Sequence, residues 1–458
     1  MRLLRFAPSL ALALLMVATG AQAVGTPKLV KNINPGAADG TPLELVSAGG
    51  LLFFSADDGS SGRELWVSDG RTRRTRRVMD INAGPTGSIP SWLTRVGDRV
   101  FFVADDGTRG RELWVSDGRR RGTRLVKNIM PGPGHSDARF LEAVGRTLFF
   151  VADDGASGSE LWKSDGTRRG TKRVRDINPG PGSAFIEVGE LRNLRGTLFF
   201  GADPGSTGQE LWKSDGTRRG TKRVKDINPG PTGSSPAFFT PHRGILMFVA
   251  NDGSTGFELW RSNGKPRGTR RVKDINPGPA FSVPSGLTSL GRRLYFTADD
   301  GSRGRELWRS DGTRRGTKRV TDIDPGPGDG VPSVPQIAVA GGMLFFGADE
   351  GLRGRELWKS DGTRRGTKRV RDVNPGPADS FPDWLTGAGR LLFFRALTVE
   401  HGSELWVSDG RRRGTRLARD IIPGTDGSNP YDPTRMGKLL FFGADQSSSG
   451  IELWKVRL

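Results

Sequence analysis

The chain has 458 residues, of which 70 are Lys or Arg and 50 are Asp or Glu, for a formal charge of +20. With no Cys and three His, it has no material for a disulfide framework, a thiol nucleophile or a thiolate zinc site, and little for a histidine metal cluster. A single ordinary core would be unusual at this length, and 67 Gly point to a turn-rich, water-soluble architecture of several domains or of repeats.

Residues 1–23 combine a basic start (Arg2, Arg5), an apolar stretch from Leu10 to Ala18 and the small-x-small site Ala21-Gln22-Ala23. This pattern predicts a secretory signal peptide removed near Ala23. The remaining 24–458 would carry +18 and reside in the periplasm or outside the cell. No later run approaches the ~18 apolar residues of a membrane span, so none is expected.

From there on the chain repeats. Glu-Leu-Trp begins at Glu64, Glu112, Glu160, Glu210, Glu258, Glu306, Glu356, Glu404 and Glu452, at spacings of 48 or 50. A D-I-N-P-G-like segment, with its aliphatic residue at Ile33, Ile81 and so on to Ile421, precedes each by 31 or 33 residues. A period of this size signals a propeller or solenoid. Within one unit, four short strands are predicted at 91–96, 99–104, 111–116 and 124–129, separated by Gly-Asp, Asp-Gly and Pro-Gly turns. Runs such as Leu148-Phe149-Phe150-Val151-Ala152 are apolar on both faces, which stacked blades would cover.

The first unit-like segment, 28–33, is a fourth strand without the preceding three, and the chain stops after a third strand at 451–456. These halves complete one another if a ring closes, so that no sheet edge is left open. The expected fold is therefore all-β: one propeller of nine four-stranded blades over 24–458, closed by pairing the N-terminal strand with the last blade.

The strings E-L-W-K-S-D-G-T at 160–167, 210–217 and 356–363, and E-L-W-R-S-D-G-T at 306–313, resemble the ELWxxDGT repeat of exported bacterial proteins. The resemblance covers residues 28–458. Its departures are Arg119 and Arg411 in place of Thr, Asn263 in place of Asp, and a last copy that ends ELWKVRL. It implies a propeller-like fold and export, and brings no catalytic residue with it.

If strands A to D run from centre to rim, the C–D loops share one face with the A–B turns. The B–C and D–A loops share the other. Eight seven-residue C–D windows, from RTRRTRR at 71–77 to RRRGTRL at 411–417, hold 33 basic residues and no acidic one. A basic ring is expected, with Arg73, Arg74, Arg120, Arg121, Arg168, Arg169, Lys172, Arg218, Arg219, Lys222, Arg314, Arg315, Arg364, Arg365, Arg412 and Arg413 as candidate polyanion contacts. The competing reading is a set of solvated hairpin tips amplified by internal duplication. These loops hold no aromatic residue and no recognition helix, so sequence-specific nucleic-acid binding is not expected.

The opposite face carries Asp-Asp-Gly turns at Asp57, Asp105, Asp153 and Asp299. These are calcium candidates by ligand type, and equally what a tight turn demands. No other cofactor is expected, and no resident metal site is assigned. The nine-fold Glu of Glu-Leu-Trp is expected to be structural, bonding a backbone N–H or an Arg of the RGTKR segment. His135, His242 and His401 occupy inequivalent positions and read as surface loop residues, so no catalytic residue is assigned. Twenty residues before the Glu stand Trp92, Phe140, Phe238 and Trp384, near the channel mouth on the acidic face. They are candidates for stacking on sugar rings, or for filling gaps between inner strands.

The reading that follows is an exported, monomeric, non-enzymatic propeller that engages an extracellular polyanion, glycan or surface protein. The alternatives are a carbohydrate-active enzyme at the channel mouth and a structural protein whose opposite faces stack.

Overall fold

The computed structural model describes residues 24–185 and 189–458; the predicted signal peptide lies outside them. The chain forms nine four-stranded antiparallel sheets arranged as the blades of one propeller, as the repeat predicts. In blade 2 the strands are Ser91–Val96, Arg99–Asp105, Arg111–Ser116 and Arg124–Lys127. The outer strand stops two residues short of the sequence expectation because the N–H of Met130 turns inward to Glu112 Oε1 at 2.9 Å.

Blade 9 is assembled from both ends of the described chain. Lys28–Lys31 pairs antiparallel with Gly450–Arg457, placing Leu29 opposite Trp454. The ring is thus closed by hydrogen bonds between segments more than 400 residues apart: Gly450–Arg457 is paired on both sides, and Lys28–Lys31 takes the rim position that the fourth strand holds in the other blades.

The B strands are buried on both faces. In Leu51–Asp57, Phe53 and Phe54 are both fully buried, and they face opposite ways. Phe53 packs with Phe102 and Trp114 of blade 2, and Phe54 with Phe441 and Leu453 of blade 9. The A strands of successive blades pack against one another and so surround the axis, while short D strands form the rim. Among the described residues no helix is long and apolar enough to cross a membrane.

All nine Glu-Leu-Trp glutamates are fully buried. Glu160 shows their role: Oε2 accepts the N–H of Ile177 at 2.8 Å and Oε1 that of Asn178 at 3.0 Å. The carboxylate thereby caps the D–A crossover, whose backbone turns away from the sheet and would otherwise bury unpaired donors. The backbone partner expected from sequence is present. The Arg partner is absent: no salt bridge reaches these glutamates among the described residues.

Blades are also clamped side to side. Lys127 Nζ lies 5.3 Å from the centre of the Trp162 ring and donates to the Thr171 carbonyl at 3.2 Å. Seven of the nine junctions place a Lys or Arg over the next blade's Trp in this way. Met79 and Thr321 occupy the other two positions.

Candidate functional site

Each C–D loop is locked at its base and open at its tip. In blade 1, Thr75 Oγ1 donates to the Arg71 carbonyl at 2.9 Å. Its single proton is thereby used, so the 2.7 Å contact to Ser68 Oγ is donated by the serine. Ser68 Oγ in turn accepts the N–H of Gly70 at 2.9 Å. The same Ser–Thr pair, at 2.7–2.8 Å, recurs in all eight loops. The Gly of R-G-T leaves room for the Asp of the loop, since a Cβ on Gly122 would lie 2.0 Å from Asp117 Oδ1; in blade 1 the position is Arg74, which pairs with the equivalent Asp69 instead.

With Ser, Gly and Thr committed to this lock, the basic side chains are left outside. All sixteen arginines and lysines predicted as polyanion contacts, from Arg73 to Arg413, are exposed at one end of the strands. Arg74 also pairs with Asp69 at 3.6 Å. Not every basic residue of these loops is available, however. Arg77, Arg173, Arg223, Arg271, Arg319 and Arg369 fold back as half-buried ion pairs; Arg319, for example, meets Asp300 at 3.3 Å and Asp322 at 3.7 Å.

The sequence reading missed a second set of cations on the same end. Six A–B turns present an exposed Arg146, Arg195, Arg243, Arg292, Arg390 or Lys438, against a single acidic Asp98. Because A and B are the inner strands, these form a ring inside the ring of tips. The signal was a Gly-Arg, Arg-Gly or Gly-Lys pair between strands, irregular enough to be passed over as turn chemistry. Between blades 7 and 8, Arg371, Asp372, Pro375, Arg412 and Arg413 line an open groove of about 510 Å³ at the rim.

The opposite end is less acidic in effect than in composition. Asp57, Asp105, Asp153 and Asp299 each accept the N–H two residues on, at 2.7–2.8 Å, which closes the turn. The second carboxylate of each turn is used as well. Burial pushes the Asp58 carboxyl upward, but bonds from Ser60 and Ser61 and the Arg77 charge outweigh it and hold it below the usual range. Among the described residues no group of three or more His, Asp or Glu is placed to hold a metal ion.

At the channel mouth, Trp92, Phe140, Phe238 and Trp384 share a left-handed backbone, with φ between 51° and 57°, at a bulge in the A strand. Acceptors at the equivalent position staple blades together. Glu44 Oε2 accepts the Leu93 N–H at 2.7 Å, Gln336 Oε1 that of Leu385 at 3.1 Å and Asp432 Oδ2 that of Leu45 at 2.9 Å. Glu190 does the same to Phe239. The aromatics make no such bond. Trp92 and Phe140 come together edge to face at 5.5 Å, while Trp384 packs on Tyr431, with ring centres 6.3 Å apart.

The histidines are three different things. His135 Nδ1 accepts the Arg111 N–H at 2.9 Å in an exposed crossover. His401 pairs with Asp420. His242 corrects the surface-loop expectation: it closes an A strand, is 2% exposed and contacts Ser289 Oγ of the next blade at 2.8 Å. Burial lowers its basicity.

No protein-family model matches the chain, and no curated protein does. Among solved structures it is similar to the computationally designed Ika8 protein, at 15% identity and a TM-score of 0.44, covering 81% of this chain and 96% of that one. It is also similar to a Mycobacterium tuberculosis puromycin-hydrolyzing peptidase, at 10% identity and a TM-score of 0.44, covering 92% of this chain and 61% of that one. A third is the β-propeller domain of the Trilobed protease from Pyrococcus furiosus, at 12% identity and a TM-score of 0.36, covering 83% and 98%.

Proposed function

We propose that this is an exported, monomeric, non-enzymatic propeller of the ELWxxDGT-repeat kind that binds an extracellular polyanion on its basic end. The observation that carries this reading is the separation of roles within each C–D loop. The lock residues are buried and the sixteen basic residues of the tips stay exposed on one end, joined by the inner cations of the A–B turns. Long-range attraction to a phosphate-, sulfate- or carboxylate-bearing polymer follows from such a field, with a strength that salt screens.

The test is binding of the mature protein to polyphosphate, heparin and polyuronate at low and high salt. Affinity is expected to fall more than tenfold between 50 and 500 mM salt, and again when Arg168, Arg169 and Lys172 are changed together to Gln. Salt-independent binding, or none to any of the three polymers, overturns the reading.

A further inference from the structure

The channel-mouth position of blade 8 differs from its eight counterparts in what it faces. Where the repeat places Glu44, Glu190, Gln336 or Asp432, the side chain accepts the N–H of the residue nineteen before the next blade's Glu-Leu-Trp glutamate. For Trp384 that residue is Pro433, which has no N–H to give. The staple has been removed from both sides of this one junction, and an indole stands in its place. Trp92, three blades round the ring, packs edge to face on Phe140, and the residue across its own junction is Leu141 rather than a proline.

The result is a cleft of about 390 Å³ that opens at the mouth and crosses three blades. Its walls include Gln336 and Ile337 of blade 7, Trp384 and Thr386 of blade 8, and Asp432 and Pro433 of blade 9. Trp384 is 37% exposed and well supported. Tyr431 braces it, and the preceding Asp383 is held by Arg395 Nε at 2.8 Å. Gln336 spends its carbonyl oxygen on Leu385, which leaves the amide NH₂ as a donor. A rigid flat apolar ring with a few polar groups around it, in a cleft of this size, is how proteins hold small polar-edged ligands with an apolar face.

We infer that the Trp384 cleft is a binding site for a pyranose unit of a neutral glycan, stacked on the indole. The Gln336 amide donates to it, and the Asp432 carboxylate and the Thr386 hydroxyl oxygen accept, the Thr386 proton being directed at the Trp384 and Pro433 carbonyls. The Asp432 carboxyl on its wall disfavours an anionic ligand, so this site is distinct from the basic end and does not depend on it.

The experiment is titration calorimetry of the mature protein with cellohexaose, maltohexaose and chitohexaose in 0.5 M NaCl, which silences the basic end. At least one hexaose is expected to bind. W384A is expected to weaken it at least tenfold, W384F to stay within about threefold, and W92A to match the wild type. T386A, which leaves the aromatic frame intact, is expected to weaken it severalfold and stands in if W384A does not fold. Failure of all three sugars to bind overturns the inference. So does W384A binding like wild type, or an equal loss in W92A.

Discussion

Glu452 Oε2 accepts the backbone N–H of Ile33 at 2.8 Å, across 419 residues of chain. Oε1 takes the next N–H, of Asn34, at 3.1 Å. In the other blades the same glutamate reaches 17 to 24 residues ahead, so the ring is closed with the hydrogen bond that finishes each blade. E452A would leave two donors without acceptors and is expected to cost on the order of 3 kcal/mol. E210A should cost a similar amount. Only E452A should also speed amide exchange through residues 24–31, which mass spectrometry would read; unchanged exchange there would contradict this role.

Burial raises the carboxyls of Glu112, Glu160, Glu258, Glu306, Glu356 and Glu452 to about 7, although backbone N–H bonds pull the other way. In the unfolded chain the same groups titrate near 4.5. Between these values the folded state holds protons that the unfolded state has lost, so this stabilisation is complete below about pH 4.5 and disappears as pH rises through 7. The lowered Asp58, Asp106, Asp252 and Asp300 act in the opposite sense, but only below their own unfolded value of 3.8. The melting temperature should therefore climb from pH 8 to pH 5. Calorimetry across that range, with E160Q as a variant of shallower slope, checks it.

Thr321 sits where seven other junctions carry a cation over the next Trp. T321K should add the missing clamp, over Trp358 and onto the Thr367 carbonyl, and stabilise by roughly 0.5–1 kcal/mol. K127A should lose about as much. Urea midpoints of the two variants measure both effects.

His401 Nδ1 lies 2.8 Å from Asp420 Oδ2. Elsewhere that Asp is the partner of an outer-strand Arg, as in Arg271 with Asp274. Where the Arg is replaced by Leu29 or Leu125, the Asp has become Asn32 or Asn128. Blade 8 has Leu417 yet keeps Asp420, and His401 supplies the missing partner. H401A is expected to destabilise by about 1 kcal/mol, and L417R added to it to restore the loss. A double variant no more stable than H401A would show that the two side chains do not substitute for one another.

Much of this architecture was legible because it is written nine times. The period, the two-sided burial of Phe53-Phe54 and the complementary chain ends each follow from local pattern. What escaped depends on neighbours that no single unit contains. Arg168 and Arg173 look alike in a string of basic residues, yet one is at a hairpin tip and the other lies over Asp154 and Asp176. The inner cations, Arg146 to Lys438, are single residues without a shared motif. The Trp384 cleft needs three blades at once, and Pro433 means something there only when its partner across the junction is known.

The Ser–Thr lock has one more consequence. Ser68 and Thr75 fasten each loop below the point where its charged residues begin, and the contacts that fasten it involve none of those side chains. Frame and display are thereby uncoupled. The tip of any blade is an interchangeable cassette, and the chemistry of the whole face can be rewritten one hairpin at a time while the wheel beneath keeps its shape.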